Sequence, residues 1–337
     1  MLVRLVAILS MLAWALVPQV AEACAPADMS IFDQLEQARY VAVGRTSGRS
    51  IRAAEVFAGG ARAVRIQDQT GLACPVEVLT SHRALFILNA DNGFVADRQS
   101  YVVDPTEELL GLVRSYAGAS AAARRAVLVQ LAVSDGPNAE RATLHLATHL
   151  ELVARMTAAQ HRLLVEAIPS LPAARLESFA LLLARLHLRD AVAPLVARIG
   201  NTDRPERIAI LLEIMTSHRI ELGGHDAPFE SDRWLRWRRR SSELSADFDP
   251  GAWIANYWTE WLAHSEPMEA PSASATLPAL AATMRTGANA MTRIIALERC
   301  ERVRGHVIAE GYSRWAFGVA PQRWESFAAA CEAPLAE

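Results

Sequence analysis

Residues 189–215 read RDAVAPLVARIGNTDRPERIAILLEIM. Apolar residues recur at three- and four-residue spacing on both sides of a polar joint, the signature of two consecutive amphipathic helices. Asp190 and Asp203 stand where N-caps are expected, Pro205 fits a first helical turn, and Gly200-Asn201 is a stop signal. The stretch therefore predicts a helical hairpin with a short turn. The same period extends upstream through Pro105–Tyr116, Ala119–Val133, Glu140–Met156, Ala158–Ile168 and Ala173–His187. Helices of similar length with short polar joints predict stacked hairpins.

This unit resembles a HEAT repeat. Asp190 would cap the inner helix, Pro194 would be the kink proline and Leu195 the core residue behind it. Asp203 and Arg207 would form the ladder between repeats. The resemblance implies an extended surface of the kind used to bind other proteins.

Downstream lie Trp234 and Trp237, then Trp253, Tyr257, Trp258 and Trp261, aromatics at three- to five-residue spacing with Asp249-Pro250 opening the second helix. Two readings apply. The rings close the end of the helical array, or Trp234, Trp237, Trp258 and Trp261 form a platform for carbohydrate or peptide. The segment 266–275 reads as a Ser-, Ala- and Pro-rich linker, and 276–337 as a C-terminal helical cap.

Upstream of Pro105 the texture is different. Arg39–Arg45, Ile51–Phe57, Ala61–Gln67, Ala84–Leu88 and Tyr101–Val103 are short β-rich runs separated by turn residues. Five strands over 24–104 predict a small closed barrel of the OB type. The expected class is α+β: a small barrel, then helical repeats over 105–265.

The segment resembles the netrin-like module of tissue inhibitors of metalloproteinases. ARYVAVGR (38–45) is similar to the family's first strand and AEVFAGG (54–60) to its second, and Cys74 precedes an apolar strand. The resemblance implies that the free amine and carbonyl of Cys24 would chelate a target protease's zinc. Pro26 replaces the family's second cysteine, leaving one bridge in place of several.

Residues 1–23 combine Arg4, an apolar run from Leu5 to Val17 and the small-x-small triplet Ala21-Glu22-Ala23. This reads as a cleavable export signal. The mature chain would begin at Cys24 in the periplasm or medium, with no retained membrane anchor. Ala21 and Glu22 do not fit a lipoprotein signal, so an unmodified amine is expected; lipidation of Cys24 is the alternative. The four cysteines, Cys24, Cys74, Cys300 and Cys331, suggest two disulfides with three connectivities open. Proximity favours Cys24–Cys74 and Cys300–Cys331.

All 34 cationic residues other than histidine are arginine, which removes lysine-dependent chemistry: no Schiff base and no P-loop. With abundant alanine, this fits a GC-rich bacterial gene. The net charge is −3 and hydrophobic residues make up 52%, with no sign of nucleic-acid binding; the basic run is confined to Arg236, Arg238, Arg239 and Arg240. His145 and His149, one turn apart, offer metal-site spacing, but Leu146 stands where a metalloprotease has glutamate. No metal and no cofactor is expected. The leading reading is a non-catalytic envelope scaffold with a protein partner. The alternatives are an inhibitor acting through the Cys24 amine and a metal-dependent hydrolase using His145 and His149.

Overall fold

The computed structural model describes residues 30–47, 50–65, 82–88, 101–223, 229–264, 276–305, 308 and 323–334. The export signal, Cys24, Cys74, Gly224, His225, the linker and His306 lie outside them. The chain forms two compact units, Met1–Arg124 and Arg125–Glu337.

In the first unit, helix α1 (Ile31–Gln37) opens with a capping box. Ser30 Oγ accepts from the Asp33 amide at 3.2 Å and Asp33 Oδ2 accepts from the Ser30 amide at 3.1 Å. Five strands follow: β1 (Tyr40–Ser47), β2 (Ser50–Ala58), β3 (Ala63–Arg65), β4 (Ala84–Leu88) and β5 (Tyr101–Val103). They form one antiparallel sheet in the order β3-β2-β1-β4-β5. Among the described residues the sheet is open, with β3 and β5 at its edges, so the closure of a barrel is not seen.

Helix α2 (Glu107–Tyr116), started by Thr106 accepting from the Leu109 amide, belongs to this unit. Arg114 clasps Glu55 of β2 at 3.0 and 3.1 Å, and Tyr116 packs on Phe32 with ring centroids 5.3 Å apart. The compact units thus divide after Arg124, with the helix that follows Pro105 on the sheet's side of the division.

The continuous apolar run of β4 has a physical reason. Tyr40, Ala42, Ala84, Phe86 and Leu88 share one buried face with Ile51 and Val64. The alternate residues Val41, Val43, Leu85 and Ile87 are buried too. A strand buried on both faces cannot alternate apolar with polar.

Gly44 sits where the β1–β2 register shifts. A Cβ there would lie 2.2 Å from the Arg52 carbonyl oxygen and 2.8 Å from the Ala53 Cα, both backbone atoms. Gly44→Ala should therefore push the two strands apart and destabilise the first unit by about 1–3 kcal/mol. A urea melt followed by circular dichroism checks this; an unchanged midpoint would show that the bulge relaxes freely.

The second unit is helical: α3 (Ala121–Ala132, which begins before the division), α4 (Ala139–Thr148), α5 (Leu150–Val153), α6 (Ala158–Ala167), α7 (Leu176–Leu186), α8 (Val192–Val196), α9 (Pro205–Thr216), α10 (Glu230–Leu244), α11 (Pro250–His264), α12 (Leu277–Thr286), α13 (Ala290–Arg304) and α14 (Trp324–Glu332). Helices α4, α7 and α9 pack in sequence, and α9 also meets α10, α11 and α13. Every residue of α9 except Arg207 is buried, which explains an apolar pattern that runs round the whole helix.

Local departures from the sequence expectation have identifiable causes. The single helix expected over Glu140–Met156 breaks at His149, whose φ of −108° and ψ of 83° end α4 and begin α5. Its ring Nδ1 lies 2.8 Å from the His145 carbonyl oxygen, and Thr148 Oγ1 donates to the Leu144 and His145 carbonyls. These side chains compete with the backbone ladder. Asp190 and Asp203 are not N-caps: Asp190 lies inside a 3₁₀ turn, Arg189–Ala191, and α9 is preceded by Arg204. Pro205 does occupy the first turn, where its missing N–H costs nothing. Arg207 reaches Glu177 of α7 at 2.6 Å, a tie between successive hairpins.

Arginine also ends helices here. Arg175 donates to the Ala132 and Ser134 carbonyls at 2.5 Å each, where α3 finishes. Arg198 donates to the Ile168, Pro169 and Leu171 carbonyls after α6, and Arg304 to those of Cys331 and Ala333 at the C-terminal end of α14. The last turn of a helix leaves carbonyls without intrahelical donors. A planar guanidinium with five N–H donors can serve several of them, whereas an ammonium is a point donor. Cys300 of α13 and Cys331 of α14 are joined, with Cα atoms 6.1 Å apart.

Candidate functional site

The polar centre of the helical unit is built on Glu213, a single carboxylate in the apolar run of α9. It is fully buried, as are Glu230 and Arg233 of α10. Arg233 Nη2 donates to both Glu213 oxygens at 2.7 Å, its Nε pairs with Glu230, and its Nη1 donates to the Ile220 carbonyl at 2.6 Å. Glu213 also accepts from the Ile220 amide at 2.8 Å and the Trp234 indole at 3.3 Å. Glu230 accepts from the Met291 amide at 3.1 Å, in the first turn of α13, where the helix dipole favours an anion. One arginine thereby ties α9, α10 and the start of α13 together. Burial pushes the Glu213 carboxyl up to about 7, against the opposing pull of Arg233.

A second buried cluster joins α7 to α13. Arg185 meets Glu301 at 2.5 Å, and Glu301 also accepts from the Ile308 amide at 2.7 Å. His187, in left-handed backbone (φ 49°) at the end of α7, places Nε2 2.6 Å from Glu298. Arg302 donates to Glu298 at 2.8 Å. Burial disfavours ionisation of Glu298, but the His187 hydrogen bond and the charges of His187 and Arg302 hold it below the usual carboxylate range.

The aromatic stripe surrounds a histidine. The His218 ring lies near-parallel to Tyr257 (centroids 6.0 Å, 14°) and to Trp261 (5.1 Å, 23°), and edge-on to Trp258 (5.7 Å, 82°). Its Nε2 is 2.8 Å from the Tyr257 hydroxyl, and burial holds the imidazole below its ordinary pKa. Trp253 stacks on Tyr257 and meets Trp237 at 4.7 Å; Trp237 meets Trp234 edge-on. Of the four tryptophans named from sequence, Trp234 and Trp258 are wholly buried, Trp237 is 6% exposed and Trp261 is half-buried. A sugar platform needs free ring faces. In the row Trp253–Tyr257–His218–Trp261 each ring has a face against a neighbour, which ties α11 to His218, just past the end of α9, with Trp261 half-buried at the end of the row.

His145 and His149 stack at 3.8 Å with 26° between their planes, and His145 is 2% exposed. Nδ1 of His149 lies 2.8 Å from the His145 carbonyl oxygen and 3.2 Å from Thr148 Oγ1.

Sequence reasoning missed the buried glutamates and their arginines. The available signal was a lone charge inside an apolar run, as in Ile208–Met215. On the outward side of α10, Leu235, Arg236, Arg239 and Arg240 are exposed, and Leu244 is exposed at its C-terminal end. Among the described residues no helix is long and apolar enough to cross a membrane. Comparison with protein-family models, with curated proteins and with solved structures finds no match to this chain.

Proposed function

We propose that this protein is an exported, non-catalytic scaffold that binds another protein through its helical unit. The observation that carries the reading is the use made of the charged and aromatic groups. The buried glutamates of α9, α10 and α13 are consumed in ties between helices, and the aromatic rings face one another. The outer face of α10, by contrast, presents arginines and leucines to solvent. The Cys300–Cys331 bridge supports an oxidising compartment. We read the α4–α7–α9 succession as HEAT-like hairpins, and the five-stranded sheet as part of an OB-type barrel similar to the netrin-like module.

Site-specific photocrosslinking in the cell envelope tests the scaffold reading. A photoreactive residue in place of Leu235 or Leu244, 52% and 80% exposed, should give discrete adducts with another polypeptide. The same residue in place of Leu163 of α6, 38% exposed, should not. Absence of adducts from both α10 positions would reject the reading.

A further inference from the structure

We infer that the outer face of α10 is a docking site for a carboxylate-rich protein segment that also carries apolar side chains. The inference rests on the scaffold reading and names the chemistry of the partner. Arg236, Arg239 and Arg240 are related by three and four residues, so they share one outward face of the helix. Arg238, at its flank, is paired with Glu206 at 3.0 Å. Among the described residues, Arg239 and Arg240 have no ion-pair partner, and Asp232 and Glu243 are acidic residues on the same side of the helix.

Two ordinary reasons for arginines on a helix do not apply. Cations complement the dipole within the last turn, but the last turn of α10 has no basic residue. Arginines also serve as helix-ending caps in this chain, as Arg175, Arg198 and Arg304 do, but Arg239 and Arg240 are exposed and point to no such carbonyl among the described residues. What remains for Arg239 and Arg240 is a pair of exposed guanidinium forks, the geometry that takes carboxylates two-handed. Leu235, at 52% exposure and four residues before Arg239, stands on the same face and supplies apolar contact, and Leu244, at 80%, is exposed at the end of the helix. Arginine beside exposed apolar residues is the composition of energetic centres in protein interfaces.

A lipid surface fits less well. The apolar side of α10 is locked into the protein through Trp234, Trp237 and Arg233, so the helix cannot roll to bury it in a bilayer. The three exposed guanidiniums span about one helical turn, roughly 6 Å. Attraction to anionic lipid grows with the number of cations held near the surface, and the chain's net charge of −3 works against it.

The test uses the whole mature chain and the double variant R239E/R240E. Both positions are exposed, and matching thermal melts establish that the variant folds. The probe is a short fluorescent peptide of alternating Glu, Asp and Leu. Its controls are the Gln/Asn counterpart and vesicles of phosphatidylglycerol with phosphatidylcholine. The acidic peptide should bind at least about tenfold more tightly than the amide peptide, lose about tenfold in the double variant, and weaken as salt rises. Equal affinity for the two peptides, or no change in the variant, would overturn the inference. So would arginine-dependent capture of the vesicles in place of the peptide. Crosslinks from positions 235 and 244 that persist in R239E/R240E would keep the scaffold reading and reject the carboxylate site. Absence of those crosslinks would reject the scaffold reading itself.

Discussion

Replacing Arg233 by methionine should destabilise the helical unit by about 3–5 kcal/mol, the cost of stranding buried charge. Arg233 is 1% exposed and is held between Glu213 and Glu230, both wholly buried. Methionine fills similar space, so the loss is electrostatic more than volumetric. It leaves Glu213 without its counter-charge and Glu230 with Arg219 alone, at 3.4 Å, and it strips the Ile220 carbonyl of its donor. The control is to remove charge from both sides. Combining Arg233→Met with Glu213→Leu should recover part of the loss, because an apolar replacement of a buried pair is often neutral or better. Urea unfolding followed by tryptophan fluorescence suits the site, since the Trp234 indole donates to Glu213. A loss below about 1 kcal/mol, within the range of a surface ion pair, would mean the network is not a structural tie.

The same site gives the unit a pH dependence of definite sign. Glu213 holds its proton up to about pH 7 when folded, above its unfolded value. Between the usual carboxylate range and that point, the folded chain binds more protons than the unfolded one. Stability from this group is present in full at low pH and falls as pH rises through about 7. Glu298 acts oppositely: its folded value is lowered, so its contribution is present above the usual carboxylate range and lost as pH falls through the folded value. In the Glu213→Gln variant the decline between the usual carboxylate range and about pH 7 should flatten, since an amide keeps an acceptor for the Ile220 amide but does not titrate.

Hydrophobic period and punctuation made the helices legible, because an amphipathic helix writes its buried face into the spacing of its apolar residues. The two helices around Gly200-Asn201 and the first-turn Pro205 are cases in point. The cap assignments failed at Asp190 and Asp203, because a cap needs a backbone turn that a single aspartate does not dictate. The break at His149 was illegible for a similar reason: it depends on a ring nitrogen reaching a carbonyl one turn back. The tryptophan spacing showed an apolar face but could not show that His218, from beyond the end of α9, would sit between Tyr257 and Trp261. The buried network was the least legible part. Propensity rules place glutamate on the surface, and only the packing of α9, α10 and α13 brings Glu213, Arg233 and Glu230 together.

The disulfide sets the stability of the last three helices. Cys300 and Cys331 are fully buried and separated by 31 residues in sequence. Converting both to alanine releases the unfolded chain from that loop, a cost to the folded state of about 3–4 kcal/mol on the chain-entropy estimate. The noncovalent links between α12 and α14 do not replace it. Arg285 grips Glu325 at 3.0 Å and Glu332 at 2.9 Å, but these carboxylates are solvated, and screening limits what such pairs contribute. Arg304 capping α14 depends on α14 being docked in the first place. The expected result is a lower unfolding midpoint for C300A/C331A, with R285A changing the midpoint far less. Burial also predicts slow reduction, since a thiolate reaches the bridge only when the helices part. If C300A/C331A melts with the parent protein, packing of Trp324, Phe327 and Ala328 of α14 would be the dominant tie, and the bridge a marker of compartment only.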